Sequence, residues 1–329
     1  MRLPMEQPHA ERMSDNLITA NLWGIDSHGV GRYPVYMGRL RKNLVNRNPK
    51  IGIESKFPAM MRVDGDNGLG AVVMLAAMEA AMKAADTYGI ALAGIRNSNH
   101  FGAAAYYCNI AAERGYVSMI CTVAPPSMPP YGGMEAYFGT NPLAVGLPNK
   151  KRPHIILDMA TTVAARGKIR EAARKGEPIP EGWAIDKDGN TTTDAQAALD
   201  GLVLPMCGHK GSGLALVVEH LAGVSTGSAF GLEVVMQYGD DPTPANVGHS
   251  LIVYKPEALM PIEEYRQRTS RFCDELHAIK PARGFTRVMI PGELEFENER
   301  KIMELGVEID EPLREQFAEI EQYTGCQLR

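Results

Sequence analysis

Long apolar runs are missing from this chain. No stretch of its 329 residues approaches the roughly 18 consecutive apolar positions that a bilayer-spanning helix needs. Nor do Met1 to Glu11 carry the apolar segment of a secretory signal. Cysteine is sparse and scattered: Cys108, Cys121, Cys207, Cys273 and Cys326 are odd in number, with no Cys-x-x-Cys pair. That excludes a disulfide framework and points to reduced, buried thiols in a cytoplasmic protein. No His-Glu-x-x-His or other compact ligand cluster occurs, so no structural or catalytic metal is expected. Basic residues are not in excess: 34 Lys and Arg face 39 Asp and Glu, interspersed, for a net charge of −5. A nucleic-acid footprint is therefore absent. Two nucleotide-binding signatures are also missing. There is no Gly-x4-Gly-Lys-Ser/Thr loop, and no Gly-x-Gly-x-x-Gly after an amino-terminal strand, so neither a P-loop nor a Rossmann unit is supported.

What is present is an ordinary globular composition, 45% hydrophobic and 22% charged, with length for about two domains. Apolar periodicity predicts helices over Met13–Ala20, Tyr36–Val45, Gly68–Tyr88, Gly102–Arg114, Gly167–Lys175, Gly211–Val224, Ile262–Ile279 and Phe296–Tyr323. Short apolar runs predict strands at Ile90–Ile95, Val117–Val123, Leu143–Leu147, Ile155–Leu157, Leu251–Tyr254 and Arg287–Ile290. This mixture is α/β without a strict βαβ rhythm. Boundaries near Ala111–Val117 and Pro256–Pro261 would make the middle of the chain an inserted domain.

One segment stands out chemically. Gly24 to Tyr36 places His28, Arg32 and Tyr36 within nine residues, on a backbone with three glycines. Imidazole moves a proton at neutral pH, and guanidinium grips a carboxylate through two parallel hydrogen bonds. Pro34 suits a first helical turn, which sets Arg32 and Tyr36 on one helix face. The plain alternative is a surface turn with a solvated arginine. Four later segments have the same ambiguity when taken singly. Asn97–Gly102 puts His100 at a helix start, where the dipole favours neutral imidazole or a bound anion. Gly139-Thr140-Asn141-Pro142 forms a rigid loop whose amides can face a ligand. Asp158 ends an apolar strand, where a carboxylate needs a partner, with His28 the named one and a helix cap the alternative. Gly208–Gly213, with Lys210, reads as an anion cradle at a helix N-terminus.

In this order and combination, Ile25-Asp26-Ser27-His28-Gly29, Ser98-Asn99-His100-Phe101-Gly102, Gly139-Thr140-Asn141-Pro142-Leu143-Ala144, Leu157-Asp158-Met159-Ala160-Thr161, His209-Lys210-Gly211 and Pro291-Gly292-Glu293 resemble the type-2 malate/L-lactate dehydrogenase family. The resemblance covers about Arg12 to Tyr323. It implies a non-Rossmann α/β fold, with a mixed-sheet NAD(P)-binding domain (115–257) inserted into a substrate and dimerisation domain (1–114 and 258–329) built from helical terminal segments. It implies a cytoplasmic homodimer that uses NAD or NADP to move hydride to or from C2 of a small L-2-hydroxy acid, with no nucleic-acid or membrane partner. The catalytic set it implies is His28, His100 and Asp158. Arg32, Tyr36, Thr140 and Asn141 would contact substrate. Ala124, Asp158, Met159, Ala160, Lys210, Gly211, Gly292 and Glu293 would contact cofactor. NAD against NADP stays open: a basic side chain at the ribose would favour NADP, with Lys168, Arg170 and Arg174 as candidates. Alternatives are a cyclic imino-acid reductase or a nucleotide-binding protein that has lost catalysis. A third is a phosphate-binding transferase built on Gly208–Gly213. Two departures from the resemblance stand out. Val123 replaces an expected side-chain amide, and about one further helix is expected before Met13.

Overall fold

The structure, a computed structural model, describes residues 5–237 and 242–325. In chain order the helices and strands begin with α1 (Gln7–Leu22), α2 (Tyr33–Arg41), β1 (Gly52–Phe57), β2 (Met60–Asp64), α3 (Gly70–Tyr88), β3 (Ile90–Ser98) and α4 (Ala104–Glu113). The middle contains β4 (Val117–Thr122), β5 (Leu143–Leu147), β6 (Ile155–Met159), α5 (Arg166–Lys175), β7 (Ala184–Ile185), β8 (Thr191–Thr192), α6 (Ala195–Asp200), β9 (Leu202–Val203) and α7 (His209–Ala222). The chain closes with β10 (Val247–Tyr254), α8 (Ile262–His277), α9 (Glu293–Leu305) and α10 (Glu311–Thr324).

Seven strands form one mixed sheet in the order β1-β2-β3-β10-β4-β5-β6, and β8-β7-β9 form a small second sheet. Only β2 and β3 run parallel, joined through α3; the other neighbours are antiparallel. Side chains alternate across the pleat. On one face Ala91, Ala93 and Ile95 of β3, Ile120 of β4 and Leu251 of β10 meet Met74, Met78 and Ala81 of α3 and the aromatic rings of α4. On the other face Cys121, Val123 and Val247 meet Val218 and Ala222 of α7. Val123 is therefore a core residue, and its apolar side chain is what this position requires.

Two expectations change, and one hairpin lies outside them. Arg287–Ile290 is not a strand: only Ile290 of it is buried, and the Ile290 N–H goes to the Glu293 carboxylate rather than to a ladder. The expected helix Phe296–Tyr323 is two helices. Gly306, at φ 83°, ends α9, and Asp310 starts α10 by accepting the Leu313 N–H. The β1–β2 hairpin went unread because β1 is an edge strand exposed along its whole length, with no apolar alternation. The division at 114/115 and 257/258 runs through the large sheet, because β10 pairs with β3 on one side and β4 on the other. Among the described residues no helix is long and apolar enough to cross a membrane.

Candidate active site

The turn after α1 is held from below. The Asn21 amide donates to Asp26 Oδ1 at 2.6 Å, and Asn21 Oδ1 accepts the Val30 N–H at 2.7 Å. A Cβ at Gly29 would sit 2.1 Å from Asn21 Oδ1, so glycine is what lets this clamp close. Within the turn His28 Nδ1 lies 2.9 Å from Ser27 Oγ, and Arg32 Nε donates to the Ser27 carbonyl at 2.6 Å. The loop from β3 to α4 brings His100 onto His28, with ring centroids 5.5 Å apart and planes 21° apart.

The partners of His100 fix its tautomer. Its Nδ1 receives the Gly102 backbone N–H at 3.3 Å and lies 2.6 Å from the Tyr36 hydroxyl. A backbone N–H can only donate, so Nδ1 is an acceptor, the Tyr36 hydroxyl is a second donor, and the ring hydrogen sits on Nε2. Gly102, at φ +82°, supplies the bend that aims its N–H back at the ring. Protonating Nδ1 would set two donors against each other. Burial first, then the charges of His28, Arg32 and His249, hold the His100 pKa well below the ordinary imidazole value. His100 is a fixed neutral hydrogen-bond donor. Burial, with a smaller contribution from Arg32, lowers His28 to about 4, so it is an unprotonated base at neutral pH.

Asp158 does not pair with His28. It sits at the end of β6, beside the start of α4, and its Oδ2 accepts the Ala105 N–H at 2.8 Å. It supplies the cap that α4 lacks locally, since Ala103 at the N-cap position has no side chain for it. Solvent reaches the carboxylate through the cavity described below, yet enclosure by protein raises its pKa to about 6 against the two amide hydrogen bonds.

A cavity of about 880 Å³ opens between these elements. Of the sequence-predicted residues, His28, Arg32, His100, Thr140 and Asp158 line it, as do Ala124, Met159, Ala160 and Gly292. Five do not. Tyr36 is buried behind His100, and one helical turn from Arg32 points it inward. Asn141 is fully buried, its amide donating to Glu219 Oε2 at 2.5 Å and to the Ala215 carbonyl, so it anchors the loop that presents Thr140. Burial raises the Glu219 pKa, and Oε1 of the same carboxylate accepts the Gly231 N–H. Lys210 is exposed in the first turn of α7, and Gly211 packs where a Cβ would meet the Met206 carbonyl at 2.3 Å. Glu293 turns to His277 at 2.6 Å, on the far side of α9. Gly292, Glu295 and Phe296 face the cavity instead, the spacing of one helical face. That periodicity was the available signal for Glu295. Asn21, Arg152 and Arg166 also went unread, since nothing local distinguishes them from surface residues.

The lining suits a nicotinamide dinucleotide together with a small acid. Its volume is at the upper end of ligand pockets, roughly 300–1,000 Å³. Small or apolar side chains (Ala124, Pro125, Pro142, Ile156, Phe296) offer surfaces for flat rings. Four arginines, Arg32, Arg152, Arg166 and Arg170, line the cavity. Arg152 is paired with Glu113 and Glu299, and Arg166 donates to the Leu199 carbonyl. A guanidinium at Arg32 suits a carboxylate.

A family model described as malate/L-lactate dehydrogenase matches residues 1–318. The L-sulfolactate dehydrogenase of Methanocaldococcus jannaschii is 41% identical over 97% of this chain and 91% of its own length. The ureidoglycolate dehydrogenase (NAD(+)) of Escherichia coli is 37% identical over 93% of this chain and 87% of its own. The solved structure of malate dehydrogenase from Pyrococcus horikoshii superposes with a TM-score of 0.90 at 34% identity, covering 99% of this chain and 91% of that one.

Proposed function

This chain belongs to the malate/L-lactate dehydrogenase family, and on that premise we propose that it is an NAD(P)-dependent oxidoreductase that interconverts a small L-2-hydroxy acid and its 2-oxo acid. The observation that carries this reading is the stacked His28–His100 pair, one a lone-pair base and the other a locked N–H donor, sharing one cavity with Arg32.

Arg32 holds the substrate carboxylate and so sets which face of C2 is presented. His100 Nε2–H donates to the C2 oxygen and stabilises charge developing on it. With His28 Nδ1–H donated to Ser27 Oγ, His28 Nε2 presents its lone pair and takes the hydroxyl proton in oxidation; the resulting imidazolium returns it in reduction. A hydroxyl donates one hydrogen bond and accepts another, which is the pairing these two rings offer. His100 is unsuited to the proton transfer itself, because losing its Nε2 hydrogen would leave an imidazolate. Tyr36 acts through His100, as a positioning residue. Asp158 keeps the start of α4 in place beside the cavity. Ala124, Asp158, Met159, Ala160 and Gly292 would hold the dinucleotide, which would supply the hydride acceptor or donor when bound.

The working unit is a cytoplasmic homodimer. Leu216, Val217 and Leu221 of α7 form an exposed apolar row that supports a second copy, and free Cys108, Cys121 and Cys273 suit a reducing compartment. The test is NAD(P)H absorbance with each coenzyme against pyruvate, oxaloacetate, sulfopyruvate, 2,3-diketogulonate and piperideine-2-carboxylate. Turnover of a 2-oxo acid is expected; turnover of the cyclic imine alone, or of nothing, sinks the reading.

A further inference from the structure

Strands β3 and β4 both pair antiparallel with β10, so their carboxyl ends leave the same edge of the sheet. From one end the chain runs through Ser98 to His100, and from the other through Thr122 to Ala124; His100 and Ala124 both line the cavity. His249 of β10 stands between the two ends. It is fully buried, with Nε2 3.0 Å from Ser98 Oγ and Nδ1 2.7 Å from Thr122 Oγ1. A neutral imidazole has one donor and one acceptor nitrogen, and a hydroxyl can meet either. Burial lowers the His249 pKa to about 3, which keeps the ring neutral.

An irregularity in the sheet makes this bridge. Between the Val247–Ser98 and His249–Ile95 pairs, β3 advances from 95 to 98 while β10 advances only from 247 to 249. Asn97, in the left-handed region at φ 51°, takes up the extra residue. Three positions apart in a regular strand, Ile95 and Ser98 would lie on opposite faces. The bulge turns the Ser98 hydroxyl to the face that His249 occupies. There the His249 ring also meets Phe101 edge to face at 4.6 Å, and Phe101 is held in turn by the Tyr107 ring and by the Tyr107 hydroxyl, which donates to its carbonyl. Ser98 and Phe101 flank His100, so His249 grips the loop on both sides of it.

We propose that His249 is a positioning residue for the reaction: by tying Ser98 to Thr122, it fixes where His100 presents its Nε2–H relative to the cavity wall at Ala124. This rests on the reading of His100 as the donor to the C2 oxygen.

Ser98→Ala removes one oxygen and leaves the ring in place. Its kcat should fall roughly three- to tenfold, the worth of one hydrogen bond, with the substrate KM within about twofold. His249→Leu should cost kcat more, and His249→Gln, whose amide reaches toward the position of Nε2, should recover part of it. Ser98→Ala combined with Tyr36→Phe should lose less than the product of the two single losses, because both act through His100. A lowered Tm with kcat intact, a loss confined to KM, or strictly multiplicative losses would each overturn the proposal. The ring-nitrogen shifts of His100 give an arm independent of turnover, and they should move in Ser98→Ala. A wild type that turns over no 2-oxo acid, with those shifts moved in the variant, would sink the dehydrogenase reading and leave the tie between His249 and His100 standing. Shifts unmoved in both Ser98→Ala and His249→Gln would overturn that tie, whatever the activity.

Discussion

Tyr36→Phe isolates the contact on which the assignment of the two histidines depends. The substitution removes one oxygen. The ring keeps its place against Met13, Leu17, Met37 and Leu40, so packing is preserved. What is lost is the donor 2.6 Å from His100 Nδ1, which leaves the Gly102 N–H at 3.3 Å as the only one of the two donors. A neutral hydrogen bond to a buried acceptor is worth about 1–2 kcal/mol, which sets the expected loss in holding the Nε2–H tautomer. At the active site that corresponds to a fall in kcat of roughly five- to thirtyfold. The substrate KM should stay within about twofold, since Tyr36 does not line the cavity. Initial-rate kinetics in both directions give the split, and the ring-nitrogen shifts of His100 should show more of the Nδ1–H form in the variant. If the loss falls on KM with kcat intact, Tyr36 touches substrate after all, and the tautomer argument collapses. An unaltered kcat and KM would refute it as well.

Other outcomes follow from the same geometry. Arg32→Lys should raise the substrate KM at least tenfold, because an ammonium cannot reproduce the bidentate fork, and an unchanged KM would remove Arg32 from the carboxylate role. The kcat/KM profile for oxidation should stay flat from neutral pH into the acid range and fall only near the His28 pKa of about 4; a limb near the unperturbed value of about 6.5 would contradict the burial of that base. In stability the signs are opposite. His28 titrates lower in the folded chain, so it favours unfolding progressively as pH falls from 6.5 toward 4, whereas Asp158, raised to about 6, withdraws stability as pH rises through 4 to 6. Acid titration of Tm in His28→Asn and Asp158→Asn would separate the two slopes. Asp158→Ala should cost about 1 kcal/mol through loss of the α4 cap, and Asp158→Asn less, since its amide oxygen still accepts the Ala105 N–H; equal losses would deny the capping role. Asn141→Leu should lower stability by about 2–4 kcal/mol by stranding the Glu219 carboxylate, and a pure change in substrate KM with full stability would restore Asn141 to the site.

Much of this molecule is legible along the chain because the relevant physics is local. Apolar runs and their period locate α3, β3, β4, β5 and α7 to within a few residues, and the Leu143–Leu147 strand matches at both ends. The glycine turn carrying His28 and Arg32 can be read in the same way, since turn chemistry acts over four or five residues. Helix α9 shows where such reading stops. Gly292 and Glu293 are adjacent in sequence, and the helix sends one toward the cavity and the other toward His277.

What the sequence determined by itself was the inventory: an α/β chain without metal or P-loop signatures, two histidines and an arginine in turns, and a carboxylate at a strand end. Tertiary structure decided the pairings. Asp158 caps a helix 53 residues away instead of orienting His28, and Tyr36 reaches His100 across 64 residues. Asn141 finds Glu219 across 78 residues. Each of these roles depends on which donor stands opposite which acceptor once the sheet is assembled, and hydrogen bonds act over about 3 Å in space whatever the separation along the chain.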